Sequence, residues 1–213
     1  MKFNHPLYNK LDKYKFILCS SSPRRLELLK QIGINPIIKK SNFPENLNKL
    51  EYKGNEIQYV IDTSYGKLED VYKNLEEDAN IILLSADTVI ISNGEIFEKP
   101  GNYENNVKML KKLCQLQNEG YKIKIVTCCT LLKREDNKVT TRKFQCISEI
   151  EMIEGISNKD IENYCKSEEG FEVAGGFKIQ GFGSILFKGI KGDYYNCVGL
   201  PISMLFKELC SFL

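Results

Sequence analysis

A run of aliphatic residues that contains one aspartate constrains the fold of this chain more than any other stretch. Residues 81–84 are continuously apolar, and the apolar pattern resumes at 89–91 after a short segment that includes Asp87. A strand without polar alternation is typical of a sheet covered on both faces, which predicts an α/β architecture. An unpaired carboxylate in such a place is costly, so Asp87 is expected to be paired, metal-bound or at an open cleft.

A second predicted strand, 16–18, runs through three serines into a helix that begins at Pro23. Ser22 occupies the N-cap position, where its hydroxyl is expected to accept from a free amide, and proline is favoured directly after it. Arg24 and Arg25 fall in the first turn, where each cation costs up to about 1 kcal/mol unless an anion is bound. This pattern favours a phosphate site, with two solvated arginines as the alternative.

Three further charged residues carry little information when each is considered alone. Glu45 lies in a polar loop after a strand predicted at 35–40, and Lys67 lies within an amphipathic helix predicted from 55 to 76. Both are interpreted as solvated surface residues, because loops and helix exteriors are mostly exposed. Lys99 follows a hairpin turn predicted at Ser92-Asn93-Gly94-Glu95 and directly precedes a helix predicted to begin near Asn102.

The rest of the chain predicts a mixed sheet. Two long strands, 121–133 and 138–152, are joined by a charged turn and are expected to pair antiparallel, whereas helical crossovers imply parallel pairs elsewhere. A glycine-rich segment at 174–183 indicates close backbone approach to a ligand or another strand. It matches neither a dinucleotide fingerprint nor a P-loop.

Composition excludes several classes of function. Lys and Arg total 30 against 28 for Asp and Glu, so neither a nucleic-acid partner nor a membrane partner is expected. The eight cysteines include no CxxC pair, and His5 is the single histidine, which argues against zinc, a disulfide framework and histidine-based catalysis. A reducing, cytoplasmic location is therefore expected. Residues 1–14 are predicted to be a loose extension, and 15–213 a single domain.

Convergent cations beside a carboxylate that can hold a divalent metal fit the cleavage of a phosphoanhydride bond. Five motifs then occur in one order along 15–213. They are Ser20-x-Ser22-Pro23-Arg24-Arg25, Ala86-Asp87-Thr88-Val89, Glu98-Lys99-Pro100, Ala174-Gly175 to Ile179-Gln180-Gly181, and Gly192-Asp193-Tyr194-Tyr195-Asn196 with Val198-Gly199-Leu200-Pro201. This set resembles the Maf family, the septum-formation-type nucleoside triphosphate pyrophosphatases.

The resemblance implies a cytoplasmic house-cleaning enzyme that cleaves a nucleoside triphosphate at the α–β bond, with Mg²⁺ or Mn²⁺ as cofactor. It implies an elongated, two-lobed α/β fold with a mixed, curved β-sheet flanked by helices, similar to the inosine triphosphate pyrophosphatases. It leaves a homodimer open. The implied roles are Asp87 as proton acceptor; Arg24, Thr88 and Gln180 as specificity residues; Ser22, Arg25, Lys67 and Lys99 as phosphate ligands; and Asp87 with Glu45 as metal ligands. Positioning of the attacking water is the alternative role for Glu45. Lys178 also matches a family position, without a defined role.

Three positions indicate the subgroup. The chain resembles the branch that acts on dTTP and UTP at Arg24, Thr88 and Gln180. The branch that acts on 7-methyl-GTP has a tryptophan before its paired arginines. It also has Asp-Gln in place of Asp-Thr and Ser-Glu-Gly in place of Ile-Gln-Gly. A neutral Gln180 offers a donor and an acceptor to a uracil or thymine edge. A 7-methyl-GTP pyrophosphatase and a non-catalytic regulator of cell division remain the alternatives, the second opposed by the retained Asp87 and Lys99.

The chain also departs from the family pattern in three places. Pro44-Glu45 replaces an acidic pair, Glu172-Val173 replaces Asp-Lys, and Gly176-Phe177-Lys178 replaces Ala-Tyr-Gly. These differences concern the metal ligands and the shape of the glycine-rich loop.

Overall fold

The computed structural model describes residues 4–75, 80–136 and 138–213. The strands within these residues are β1 (Lys15–Leu18), β2 (Ile37–Ile38), β3 (Ile81–Ser92), β4 (Glu95–Phe97), β5 (Ile123–Glu135), β6 (Lys138–Met152) and β7 (Phe187–Lys191). The α-helices are α1 (Pro6–Leu11), α2 (Pro23–Gln31), α3 (Glu56–Lys73), α4 (Tyr103–Asn118), α5 (Asn158–Cys165), α6 (Tyr194–Val198) and α7 (Ile202–Phe212). Short 3₁₀ turns occupy Lys49–Tyr52, Ala174–Gly176 and Phe182–Leu186.

The seven described strands form one mixed sheet in the order β2-β1-β3-β5-β6-β7, with β4 paired to β3. β1 runs parallel to both β2 and β3, and the pairs from β3 through β7 are antiparallel. The predicted α/β class with a mixed sheet is therefore confirmed. The parallel pairs are joined by α2 and α3, as crossover connections require.

Helices cover both faces of the central strands. Phe16, Leu18, Ile82 and Leu84 pack with α1, α2 and α7 on one face, and the alternate residues pack against α3 on the other face. This double burial explains the continuous apolar run, because each successive residue of a strand points to the opposite face. A third cluster lies under α4 and α5, farther along β3, β5 and β6.

Strand β3 is longer than the sequence pattern indicated. The sequence predicted two apolar runs separated by Ser85–Thr88, but the strand is continuous over Ile81–Ser92, because every residue from 81 to 91 is paired with β5. The hairpin to β4 is confirmed: Asn93 and Gly94 both have positive φ, 49° and 72°, as a type I′ turn requires. The predicted strand at 35–40 is wrong in length, since only Ile37–Ile38 pair with β1.

The opposite edge of β3 has a gap. On that side, β1 pairs with residues 81–84 and β4 pairs with residues 90–92. Between them, residues 85–89 have no strand partner among the described residues on that edge, although β5 continues along the other. The gap adjoins the carboxyl end of β1, where open α/β sheets commonly bind ligands. Asp87 and Thr88 lie within it.

The predicted loose extension is wrong for the part of 1–14 that the structure describes. Residues 6–11 form α1, in which Leu7 and Leu11 are buried against α7, and Tyr8 donates a hydrogen bond of 2.6 Å to the Ile32 carbonyl. Burial of this apolar face stabilises a helix that would be too short to persist alone. Residues 1–3 lie outside the described residues.

All eight cysteines are free thiols, and five of them are buried. Burial raises the pKa of Cys19 to about 12 and that of Cys128 to about 12, so these thiols are unreactive. Among the described residues, the helices lack the length and apolar character needed to cross a bilayer.

We predict that Leu7→Ala lowers the free energy of unfolding by about 2 to 5 kcal/mol, because it empties a buried leucine site in the core cluster. Urea unfolding followed by circular dichroism would measure the change. Lys10→Ala, on the exposed side of the same helix, is the control and should stay near wild type. Equal stability of the two variants would contradict the structural role of α1.

Candidate active site

A cleft of about 730 Å³ opens at the gap along β3. Its walls come from the start of α2, the loop after β2, α3, β3, the end of β4 and the glycine-rich segment. Of the nine predicted site residues, eight line this cleft: Ser22, Arg24, Arg25, Glu45, Lys67, Asp87, Thr88 and Lys99. The structure therefore brings together residues that are spread along the sequence from position 22 to position 99.

The centre of the cleft is a lysine bound to two carboxylates. Lys67 Nζ lies 2.7 Å from Asp87 Oδ1 and 2.8 Å from Glu45 Oε2. Lys67 and Asp87 are only 8% and 7% exposed, so the interpretation of Lys67 as a solvated lysine is wrong. Its ammonium is buried because its helix face is turned towards the sheet, and two carboxylates offset the loss of hydration.

A cluster of buried hydroxyls fixes the position of α3 on the sheet. Ser64 lies one helical turn before Lys67, and its hydroxyl is 3.2 Å from the Ser85 hydroxyl and 3.0 Å from that of Thr130. Ser85 also donates to the Ser64 carbonyl at 2.6 Å. Because Ser85 and Asp87 project from the same face of β3, this contact sets Lys67 opposite Asp87.

Glu45 is ionised near neutral pH in this setting. Burial raises the pKa of Glu45, but the charge and hydrogen bond of Lys67 lower it more, with help from Lys99 and Arg25, so the net pKa is below its ordinary value. Its side chain remains 47% exposed. One of its carboxylate oxygens is therefore free to reach a ligand in the cleft.

The helix start differs from the predicted cap. Ser22 occupies the N-cap position, but its side chain makes no capping hydrogen bond. Its backbone N–H instead donates to the Ser20 hydroxyl at 3.2 Å. The expectation of a serine cap is thus wrong in its hydrogen bond, and the Ser22 hydroxyl and the first amides of α2 are left to face the cleft.

Arg25 is held by three neutral acceptors. Its Nε donates to the Gly199 carbonyl at 3.0 Å, Nη1 to the Ser20 hydroxyl at 3.1 Å and Nη2 to the Thr88 hydroxyl at 3.1 Å. Burial lowers the pKa of Arg25, and the charges of Asp87 and Glu45 offset part of that effect. The predicted phosphate ligand and the predicted specificity residue Thr88 are therefore in direct contact.

Arg24 is placed differently from its neighbour. It lines the cleft, and no hydrogen bond or salt bridge to its guanidinium is found in the described ranges. Burial and the adjacent Arg25 lower the pKa of Arg24, which reflects a cation held near another cation. An anion bound here would relieve that repulsion.

Lys99 and Glu98 line the cleft directly after β4. Lys99 is exposed and lies 3.7 Å from Glu172, an ion pair that screening weakens. Glu98 accepts a hydrogen bond of 2.5 Å from the Tyr59 hydroxyl and forms a salt bridge with Lys49. Sequence reasoning assigned no role to Glu98, although it stands in the Glu-Lys-Pro motif directly before Lys99.

Gln180 is the predicted site residue that is not brought to the cleft. It is exposed and absent from the lining, although Lys178, two residues earlier, does line the cleft. The loop after it is anchored by Glu169, which accepts from the amides of Phe182 and Gly183 at 3.3 and 3.1 Å. The specificity role of Gln180 stays a prediction.

Two carboxylates, Asp87 and Glu45, are the candidate metal ligands. The described part of the chain holds no group of three or more His, Cys, Asp or Glu residues arranged for a metal. Mg²⁺ commonly uses one or two carboxylates and completes its coordination with water and substrate phosphates. The donor set of the cleft fits such a site, since both carboxylates already converge on one cation, Lys67.

We predict that Arg25→Lys lowers the free energy of unfolding by about 1 to 3 kcal/mol, because an ammonium cannot reach all three acceptors of the guanidinium fork. Urea unfolding would measure it. Arg24→Lys is the matched control and should leave stability near wild type. Equal losses in both variants would contradict the structural assignment of Arg25.

Comparisons with known proteins find relatives that match most of the chain. A dTTP/UTP pyrophosphatase from Saccharomyces cerevisiae is 40% identical over 213 residues, which covers 93% of this chain and 90% of that protein. Proteins of the same name from Clostridium perfringens (38% identity, 92% of this chain, 95% of that protein) and Schizosaccharomyces pombe (36%, 94% and 85%) are also similar. The family model described as Maf-like protein matches residues 15–212, and the chain therefore belongs to the Maf family.

Proposed function

We propose that this protein hydrolyses dTTP and UTP, or modified pyrimidine nucleotides, between the α- and β-phosphates to give the monophosphate and pyrophosphate. Its relatives are named dTTP/UTP pyrophosphatases. The observation that carries the proposal is the ion cluster of Lys67, Asp87 and Glu45, which faces the arginine-bearing start of α2 across one cleft.

The cations of the cleft provide the binding energy for a triphosphate. Arg24, Lys99 and the free amides of α2 converge on the cleft, where charge neutralisation and alignment dominate phosphoryl-transfer catalysis. Arg25 uses three of the five N–H groups that a guanidinium carries, which leaves two for a phosphate oxygen. The Ser22 hydroxyl, unused as a cap, is available to the same anion.

Asp87 is assigned as the proton acceptor for the attacking water. Its Oδ1 accepts from Lys67, and no other hydrogen bond to Asp87 is found within the described residues, so Oδ2 is left to accept from water. A general base must be held within hydrogen-bonding reach of the water, and the 2.7 Å contact with Lys67 fixes the direction of the carboxylate. Lys67 thus orients Asp87 and balances its charge before the proton is transferred.

Asp87 and Glu45 would hold a divalent cation, Mg²⁺ or Mn²⁺. When bound, that ion supplies Lewis-acid polarisation of the phosphate and additional neutralisation of charge. Lys67 and the metal would then share the oxygens of the two carboxylates, because Lys67 Nζ already contacts one oxygen of Asp87 and one of Glu45.

Specificity for a pyrimidine is assigned to Arg24, Thr88 and Gln180. Thr88 is fixed by hydrogen bonds with Arg25 and Thr127, both 3.1 Å, so its hydroxyl has a defined direction at the cleft wall. The neutral Thr88 and Gln180 favour an uncharged base over the cationic 7-methylguanine. We also assign the enzyme to the cytoplasm in a house-cleaning role, consistent with its free thiols.

A nucleotide panel tests the activity directly. We predict that pyrophosphate is released from dTTP and UTP in the presence of Mg²⁺ or Mn²⁺, and that 7-methyl-GTP and purine triphosphates are poor substrates. Pyrophosphate release would be measured with each nucleotide at equal concentration, with and without a chelator. Preferred cleavage of 7-methyl-GTP would support the other branch of the family, and no cleavage of any nucleotide would support a regulatory protein.

We predict that Asp87→Asn lowers kcat for dTTP by about 10²- to 10⁴-fold, because the amide cannot accept the proton from water. Steady-state pyrophosphate release and a thermal unfolding scan would be measured on the same samples. Glu149→Gln is a control, since Glu149 pairs with Lys122 away from the cleft. A kcat unchanged in Asp87→Asn would remove Asp87 as the base.

A further inference from the structure

A glycine inside a helix points to an arrangement that the catalytic residues do not explain. Gly66 is buried in the interior of α3, directly before Lys67, where glycine is a poorer helix former than alanine. A Cβ added at Gly66 would lie 2.5 Å from two ring carbons of Phe43 and 2.9 Å from a third. The ring of Phe43 therefore occupies the space that any larger residue at 66 would fill.

A polar contact holds the same loop one turn farther along α3. Asp70 Oδ2 accepts from the Ser41 hydroxyl at 3.0 Å and from the Asn42 N–H at 2.7 Å. Ser41 in turn accepts from the Phe43 N–H at 2.9 Å. Because Gly66 and Asp70 are four residues apart, they lie on one face of α3 and form two adjacent attachment points for the loop.

Glu45 follows Phe43 by two residues, separated from it by Pro44, whose ring limits the backbone. The carboxylate of Glu45 lies 2.8 Å from Lys67, and this is the contact that holds its exposed side chain in the described structure. The position of Glu45 in the cleft therefore depends on where Ser41, Asn42 and Phe43 are attached to α3.

We propose that Phe43, Gly66 and Asp70 are positioning residues. They seat the loop 41–46 on α3, with the aromatic ring over the glycine and the backbone on the aspartate, and thereby hold the Glu45 carboxylate at Lys67. The inference rests on the proposed function in one respect, the role of Glu45 as a metal ligand. The seating itself is a property of the loop and the helix, and it can be measured without turnover.

Hydrogen exchange of the Asn42 and Phe43 amides reports the seating directly. In Asp70→Ala we expect exchange of both amides to become faster by about tenfold. The Asn42 N–H loses its charged acceptor, and the Ser41 hydroxyl, which accepts from the Phe43 N–H, loses its hydrogen bond to α3. In the native loop one oxygen of Asp70, Oδ2, accepts both from the Ser41 hydroxyl and from the Asn42 N–H. Asp70→Asn keeps one such oxygen, so amide exchange in this variant should stay near the wild-type rate. Glu69→Gln, which alters the exposed ion pair with Lys73 on the same helix, is the matched control.

Gly66→Ala tests the contact between the Phe43 ring and α3. In this variant the loop and the whole protein are expected to respond in different directions. Alanine is the better helix former, so we expect the melting temperature to be unchanged or higher while exchange in the loop becomes faster. In a Phe43→Ala background the ring that the added methyl group would meet is gone, and Gly66→Ala should then leave loop exchange unchanged. This non-additivity separates seating from a general loss of structure.

The catalytic consequence is measured as the Mg²⁺ concentration that gives half-maximal pyrophosphate release from dTTP. We expect Glu45→Gln to raise it by about tenfold, because a proposed ligand loses its charge. Asp70→Ala and Gly66→Ala should also raise it by about tenfold, as loss of residues that support a metal ligand does. Asp70→Asn and Glu69→Gln should not. Unchanged loop exchange in both Asp70→Ala and Gly66→Ala overturns the seating, whereas an unchanged Mg²⁺ requirement in Glu45→Gln contradicts the proposed role of Glu45 instead.

Discussion

The ammonium of Lys67, buried between the carboxylates of Asp87 and Glu45, sets the requirements that the surrounding structure must meet. Removing one cation and two anions from water is expensive, and the attraction among them offsets that cost only when the distances are short. Three separate elements, α3, β3 and the loop after β2, must therefore be located to within hydrogen-bonding distance of one another. The hydroxyl cluster between Ser64 and Ser85 meets this requirement for the helix and the strand.

The gap along β3 explains how one cleft can use residues that are adjacent in sequence for different tasks. Asp87 and Thr88 project to opposite faces of the strand, yet both line the cleft because no neighbouring strand covers that edge in the described residues. Each face supplies its own cation: Lys67 binds Asp87 on the α3 side, and Arg25 binds Thr88 on the α2 side. A substrate lying across the strand would contact the proposed base and the proposed specificity residue together.

The sequence predicted the features that depend on local pattern and missed those that depend on contacts between elements distant in the sequence. The double-sided burial of β3, the Asn-Gly hairpin and the clustering of Asp87 with the arginines could be predicted, because periodicity and motif order carry them. Lys67 looked solvated because a lysine in an amphipathic helix has the same local pattern whether or not carboxylates face it. Residues 6–11 were predicted to be a loose extension, because so short a helix is stable only when Leu7 and Leu11 are buried in the core.

The two arginines at the start of α2 show how neighbouring like charges can be accommodated in one protein site. Arg25 turns inward and donates its hydrogen bonds to neutral oxygens. These bonds hold α2 against β3 and against the turn at Gly199. Arg24 stays at the wall of the cleft beside free helix amides, where its charge is opposed by no described salt bridge. An anion bound at this helix start would relieve the repulsion between the two guanidinium groups, because its charge would oppose both of them and the free amides of the first turn.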